Sequence, residues 1–253
     1  MAAELARAGI YDPGCEAMGL PIDPRDPAGR PCFLCAEMIE HCFPRQRPVR
    51  ISAGGRNWLA GANFAWLAAN HVTVSSVRHE DQEADGAVLE AMVEIHRRTG
   101  GVFRVIFNGA GAGASIPWHL HLQMTTDTFP IEGLGPGREN DYPLPLRRFG
   151  AASGPAAGVA AADEFIGEWE AADPGHRVNL MVAGEAGAPV IHVFLRDGRR
   201  PASAVMGDMA SFEACGDLVF DDPARREVFE RADLALARRA LADITPREPV
   251  PEA

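Results

Sequence analysis

The residues best suited to chemistry lie in one short segment, Asn108 to Gln123, NGAGAGASIPWHLHLQ. Side chains alternate across a strand, so HLHLQ places His119, His121 and Gln123 on one face and Leu120 and Leu122 on the other. Two imidazoles and an amide side by side are costly to bury without partners, which suits the wall of a cleft. A neutral imidazole attacks phosphorus readily, and the phosphoramidate it forms divides one difficult displacement into two easier ones. Gln123 can donate amide hydrogens to a nonbridging phosphoryl oxygen, a charge-assisted bond of about 1.5 to 3 kcal/mol. The preceding loop alternates Gly and Ala, so Gly111 and Gly113 leave backbone amides open to a close-lying phosphate. Asn108 and Ser115 add hydrogen-bonding groups where ribose or phosphates would lie. Histidine nucleophile, amide donor and open loop together point to transfer of a nucleotidyl group.

Other clusters extend the list. Cys32-Phe-Leu-Cys35 has the spacing of a zinc half-site, and its alternative is two buried thiols packed as small hydrophobes. His41 and Cys42 are possible ligands beside it. Arg196, Arg199 and Arg200 follow the apolar run VIHVFL, where planar guanidiniums suit phosphate oxygens, though a solvated hairpin end accounts for Arg199 equally well. His71 reads as a satisfied strand-edge histidine, and His192, between apolar neighbours, as core.

The elements that must position these residues follow from periodicity. The runs RNWLA, NFAWLA and HVTVSSV predict antiparallel strands from Arg56 onward. Val88, Met92 and Ile95, beside Leu89, Val93 and His96, predict a helix over 83–99 that ends at Gly100-Gly101. VFRVIFN (102–108) and HLHLQM (119–124) predict strands flanking the glycine-rich loop. The stretch 125–155 is rich in proline and glycine without periodicity and predicts a long surface connection. A helix is expected at 163–171, a hairpin around Glu185 to Ala188, and one long helix over 223–243.

The chain has 253 residues, 47% hydrophobic and 23% charged, with a net charge of −11. That balance predicts a globular protein and argues against nucleic acid as a partner, since a phosphate backbone needs clustered cations. The first thirty residues contain no apolar run, so neither a signal peptide nor a membrane span is expected and a cytoplasmic location is. Five cysteines, an odd number, fit a reducing compartment.

NGAGAGASIPWHLHLQ resembles the signature of the histidine-triad superfamily, transferase branch, in which the motif ends in Gln. The branch holds galactose-1-phosphate uridylyltransferases, diadenosine tetraphosphate phosphorylases and GDP-hexose phosphorylases. The likeness extends through CFLC, NHVTVSSVRHEDQ and HVFLRDGRRP, and is greatest to the GDP-L-galactose phosphorylase group and its bacterial relatives. Trp118 is one residue more than the first two patterns have between Pro and His, which favours the GDP-hexose side. The resemblance implies an α+β, histidine-triad-like fold with antiparallel sheets, helices packed on one face and two related halves. The halves would be residues 31–130 and 161–245, joined by a crossover at 131–160, with an arm at 1–30 and a tail at 246–253. It implies His121 as nucleophile, Gln123 as phosphate holder, Asn108 as a nucleotide contact, and Arg196 or Arg200 near phosphate. It also implies a structural zinc held by Cys32, Cys35, His79 and His119. The expected partners are a nucleotide sugar and inorganic phosphate or another phosphorylated acceptor, with a homodimer allowed.

Overall fold

The computed structural model describes residues 32–43, 45–63, 67–150, 154–200, 202–220, 223–231 and 234–246. The arm expected at 1–30, and the tail beyond residue 246, lie outside the described residues. The elements are α1 (Ala36–Cys42), β1 (Val49–Ala53), β2 (Arg56–Ala62), β3 (Val72–Ser76), α2 (Gly86–Arg98), β4 (Arg104–Asn108) and β5 (His121–Thr125). They continue with β6 (Leu146–Gly150), α3 (Pro155–Ala172), β7 (His176–Glu185), β8 (Ala188–Asp197), β9 (Ala202–Ser203), β10 (Gly207–Asp208), α4 (Ser211–Ala214), α5 (Pro223–Arg231) and α6 (Leu234–Asp243).

Eight strands form one antiparallel sheet in the order β1-β2-β3-β5-β4-β7-β8-β6. The fold is α+β, as expected, and the two groups of strands join edge to edge where β4 pairs β7, with Asn108 opposite Asn179. Leu120, Leu122, Val105, Phe107, Val178, Leu180 and Val193 point from one face into a core closed by α2 and α3. The α2 stripe is buried as its spacing requires, and Asp85 caps the helix by accepting the Val88 amide at 2.8 Å. Arg56 grips the same carboxylate from β2 with bonds of 2.8 and 2.7 Å, and that guanidinium, with the Val88 amide behind it, holds Asp85 below its usual pKa. The opposite face carries a second core around Ile106, Met181 and Phe194, under Phe129, Phe212 and the end of α6.

Several elements differ from the periodicity reading. The strand expected at NFAWLA is absent where described, since Asn63 and Leu67–Asn70 form a loop. β6 lies inside the proline-rich stretch and pairs β8 at the sheet edge, where a strand holding Pro143 and Pro145 just before it needs neighbours on one side only. α3 begins eight residues before the expected start because Pro155 at its first turn and a run of alanines form helix without an apolar stripe. The helix expected over 223–243 is helical wherever it is described, as α5 and α6, with 232 and 233 outside the described residues. Among the described residues no helix is long and apolar enough to cross a membrane.

Candidate active site

β5 lies between β3 and β4, with Ser75 opposite His121 and Thr73 opposite Gln123. Its Leu122 and Met124 enter the core, so His121 and Gln123 face away from α2 and α3. His121 is 5% exposed. Its Nδ1 lies 2.8 Å from the His119 carbonyl oxygen, which can only accept, so Nδ1 carries the proton and Nε2 the lone pair. Burial lowers the His121 pKa to about 4, which keeps the ring neutral across the physiological range. The strand therefore presents an unprotonated Nε2 whose direction is set by its own backbone.

Gln123 is oriented by a residue that the periodicity reading left as a strand-edge histidine. The Leu67 amide donates to His71 Nδ1 at 3.1 Å, so the His71 proton sits on Nε2 and is donated to Gln123 Oε1 at 3.0 Å. This chain fixes the Gln123 carbonyl against His71 and so sets the direction of its NH2. The His71 ring packs against Phe212 with centroids 5.6 Å apart, and burial lowers its pKa. A His71→Phe protein keeps the packing but frees the amide to flip. Its turnover is expected to fall about 10-fold with the nucleotide affinity nearly unchanged, as for loss of one hydrogen bond to charge made in the transition state. Wild-type turnover in that variant would remove His71 from the site.

Asn108 ends β4 and is buried. Its Oδ1 accepts the Ser211 amide at 2.7 Å, the Ser211 hydroxyl, and Asn179 Nδ2 at 3.0 Å. Asn179 also donates to the Ala112 carbonyl at 2.8 Å and accepts from Arg196 Nη1 at 2.7 Å, while Arg196 Nη2 donates to the Met209 carbonyl at 3.1 Å. Arg196 is wholly buried, and desolvation lowers its pKa to about 10. It thus stands behind the loop, joined to it through Asn179. Arg200 donates Nη1 to the Thr245 carbonyl at 2.9 Å, and Arg199 pairs with Asp197 at 2.8 Å at the C-terminal end of β8. Asn179, Ser211 and Phe212 came from parts of the chain with no chemical signature in sequence, and only strand pairing and chain return bring them here.

The glycine-rich loop is shaped by this wall. Gly113 has φ +90°, and a Cβ there would lie 2.5 Å from the Met209 carbonyl oxygen, so the second part of the chain requires glycine at that position. Gly111, at φ +76°, has no such crowding and is exposed. The amides of Gly111, Gly113, Ala114, Ser115 and Ile116 donate to no other described residue, and Ser115 is exposed. A run of open amides of this kind can receive an anionic oxygen.

Behind the strand, Cys32, Cys35, His79 and His119 converge, with one ligand atom from each lying within 4.8 Å of the others. Cys32 Sγ is 3.4 Å and Cys35 Sγ 3.7 Å from His119 Nδ1, and Cys35 Sγ is 3.2 Å from His79 Nδ1. A tetrahedral zinc with ordinary Zn–S and Zn–N lengths needs S to N separations of about 3.5 Å, so these atoms fit a metal ion. His119 Nε2 is 2.9 Å from the Ser76 carbonyl, which claims its proton and leaves Nδ1 as a ligand atom. Hydrogen bonding from Cys35, and then from His119, holds the Cys32 thiol well below the usual range despite burial. His41 and Cys42 stand outside this cluster.

The buried histidines make a pH prediction. His121 and His192 are 5% and 4% exposed, and burial lowers each to a pKa of about 4. In the unfolded chain they titrate near 6.5 and bind more protons than in the fold between those values. Stability contributed by their neutral form is present above about 6.5 and falls as pH drops toward 4, by about 3 kcal/mol for each histidine. Urea denaturation at pH 7.5, 6 and 4.5 should show this decline, and replacing His192 with Phe should flatten it. A stability independent of pH over that range would contradict the burial of neutral imidazoles.

Residues 15–126 match a family described as a domain of unknown function, DUF4922. No curated protein matches the chain by sequence. Among solved structures, yeast Ap4A phosphorylase Apa2 in complex with AMP superposes with a TM-score of 0.58 at 13% identity, over 79% of this chain and 89% of that one. The same yeast enzyme in complex with Ap4A gives a TM-score of 0.59 at 13% identity, over 76% of this chain and 74% of that one. A further structure of the enzyme gives 0.57 at 15% identity with the same coverage. At this identity the likeness shows a shared fold, the histidine-triad-like architecture implied by the motif.

Proposed function

We propose that the chain is a nucleotidyltransferase of the phosphorylase type, acting through a covalent nucleotidyl-histidine at His121. The observation that carries this is the His121 Nδ1 proton given to the His119 carbonyl, which leaves a neutral Nε2 on the same face of the strand as Gln123. In the first step Nε2 attacks the α-phosphorus, a P–N bond forms, and the bond from phosphorus to the bridging oxygen breaks. The leaving group departs as a phosphate anion, so no strong general acid is needed. In the second step an oxygen of inorganic phosphate or another phosphorylated acceptor attacks the same phosphorus, the P–N bond breaks, and the nucleotide is released bearing the acceptor. Gln123 NH2 and the amides of Gly111 and Gly113 to Ile116, with the Ser115 hydroxyl, hold the nonbridging oxygens as charge moves onto them. Asn108 and Arg196 keep the loop at the right height through Asn179.

The substrate we favour is a nucleoside diphosphate hexose, with GDP as nucleotide, on the strength of the extra Trp118 and the surrounding phrases. The fold shared with an Ap4A phosphorylase structure holding AMP or Ap4A supports a dinucleoside polyphosphate as the second reading. Zinc is the metal we assign to Cys32, Cys35, His79 and His119, because two thiolates and two imidazoles at tetrahedral spacing suit it. When bound it supplies structural closure, since the protein fills all four positions. Mixing the protein with GDP-hexoses, ADP-glucose or diadenosine tetraphosphate, each without acceptor, tests the scheme. One substrate should add the mass of a single nucleoside monophosphate at His121, removed on adding phosphate. Absence of any adduct with all of them, despite turnover, would rule out the covalent route.

A further inference from the structure

β4 and β5 pair as far as Ile106 and Gln123, and the next partners on that face would be Asn108 and His121. The strands instead admit a side chain between them. Gln82 Nε2 donates to the carbonyls of Asn108 at 2.8 Å and His121 at 2.9 Å, while Oε1 accepts the His121 amide at 2.7 Å. Gln82 is 1% exposed. Its backbone binds the glycine-rich loop at both ends, donating to the Pro117 carbonyl at 3.4 Å and accepting the Ala110 amide at 3.3 Å. One residue thus touches Asn108, Ala110, Pro117 and His121, on either side of the turn that carries the open amides.

The chemistry of a primary amide suits this position. Two N–H groups meet two carbonyls, and one carbonyl meets one N–H, so every polar group is satisfied in a buried place where an unpaired one is costly. A carboxylate of the same length would turn acceptor oxygens onto two carbonyls. The amide acts as an inserted peptide group that holds the strands apart just where His121 needs a clear approach, and it clamps both backbone groups of that residue.

We infer that Gln82 is the positioning residue of the nucleotidyl transfer, setting His121 Nε2 against the loop amides without touching substrate. The inference rests on the reading of His121 as nucleophile. A Gln82→Met protein, of similar length but without the hydrogen bonds, is compared with Gln82→Glu, which retains only an acceptor for His121. The rate of His121 nucleotidylation in a single turnover is expected to fall about 100-fold in Gln82→Met, the size of effect that a misplacement of about 1 Å produces. It should fall about 10-fold in Gln82→Glu. The affinity for nucleoside monophosphate should stay within about threefold in both. Hydrogen exchange gives a second reading that needs no activity: the His121 amide should lose protection in Gln82→Met while Leu122 and Val74 keep theirs. Should Gln82→Met fail to fold, Gln82→Glu carries both measurements.

A folded Gln82→Met protein that nucleotidylates at the wild-type rate would overturn the inference. So would a loss of rate matched by general loss of protection across β3 and β5. If wild type forms no adduct with any substrate, the nucleotidyl-transfer reading fails, and the exchange of the His121 amide alone decides whether Gln82 holds it.

Discussion

A His121→Ala protein is expected to transfer nucleotide at least about 10⁴-fold more slowly than wild type, because the atom that forms the covalent bond in the proposed scheme is gone. The neighbouring groups cannot replace it. His119 spends its Nε2 proton on the Ser76 carbonyl and turns Nδ1 into the cysteine cluster, and His71 is engaged with Leu67 and Gln123. The fold should survive, since the His121 ring faces away from the core below α2 and α3, and the backbone bonds to Gln82 do not depend on the side chain. Intact-mass analysis after mixing with substrate should therefore show a folded protein without adduct, and a nucleoside monophosphate should still bind. Phosphorolysis at the wild-type rate in this variant would refute the mechanism.

The second large effect is expected on the metal. A Cys32→Ser protein, or wild type after chelation, should lose the proposed zinc and be less stable by about 4 kcal/mol than wild type kept in free zinc at about a thousand times its dissociation constant. In a domain of this size such a loss lowers the thermal midpoint by about 10 °C. The cluster joins segments far apart in sequence, with α1 starting one residue after Cys35, His79 following β3, and His119 leading into β5. Losing the ion frees α1 to leave the sheet, where Ala36 and Ile39 cover Leu59. The His119 carbonyl, which fixes the His121 proton, loses its anchor at the same time, so activity should fall with the metal. Elemental analysis beside calorimetry checks the prediction, and a wild-type protein that contains no metal and is indifferent to chelators would sink it.

The elements built on local periodicity were legible. The α2 stripe, the β7–β8 hairpin and the alternation that sends Leu120 and Leu122 inward all follow from side-chain geometry along a single segment. β6 and the early start of α3 were hidden because an edge strand and an alanine-rich turn have little apolar signature. In the site, His121 and Gln123 stood out because their spacing matches a strand, and Cys32 with Cys35 because theirs matches a turn. Gln82 carried no signal, as one amide among the acidic residues of RHEDQEAD reads as a solvated turn. His71 was visible as a histidine but its partners were not, since Leu67, Gln123 and Phe212 meet it only after β3 lies beside β5 and α4 folds over the face.

By itself the sequence picked out the groups of the proposed chemistry and the face that His121 and Gln123 share: an imidazole, an amide and a glycine-rich loop, placed by the two-residue period of a strand and the small size of glycine. Only the tertiary structure decided which nitrogen of His121 is free, which way the Gln123 amide points, and why Gly113 must be glycine. Those choices depend on the His119 carbonyl, the His71 proton and the Met209 carbonyl. The His71 and Met209 contacts arise between segments distant along the chain, and the His119 contact, though only two residues away, depends on the rotamer the folded strand gives His121, so spacing alone encodes none of the three.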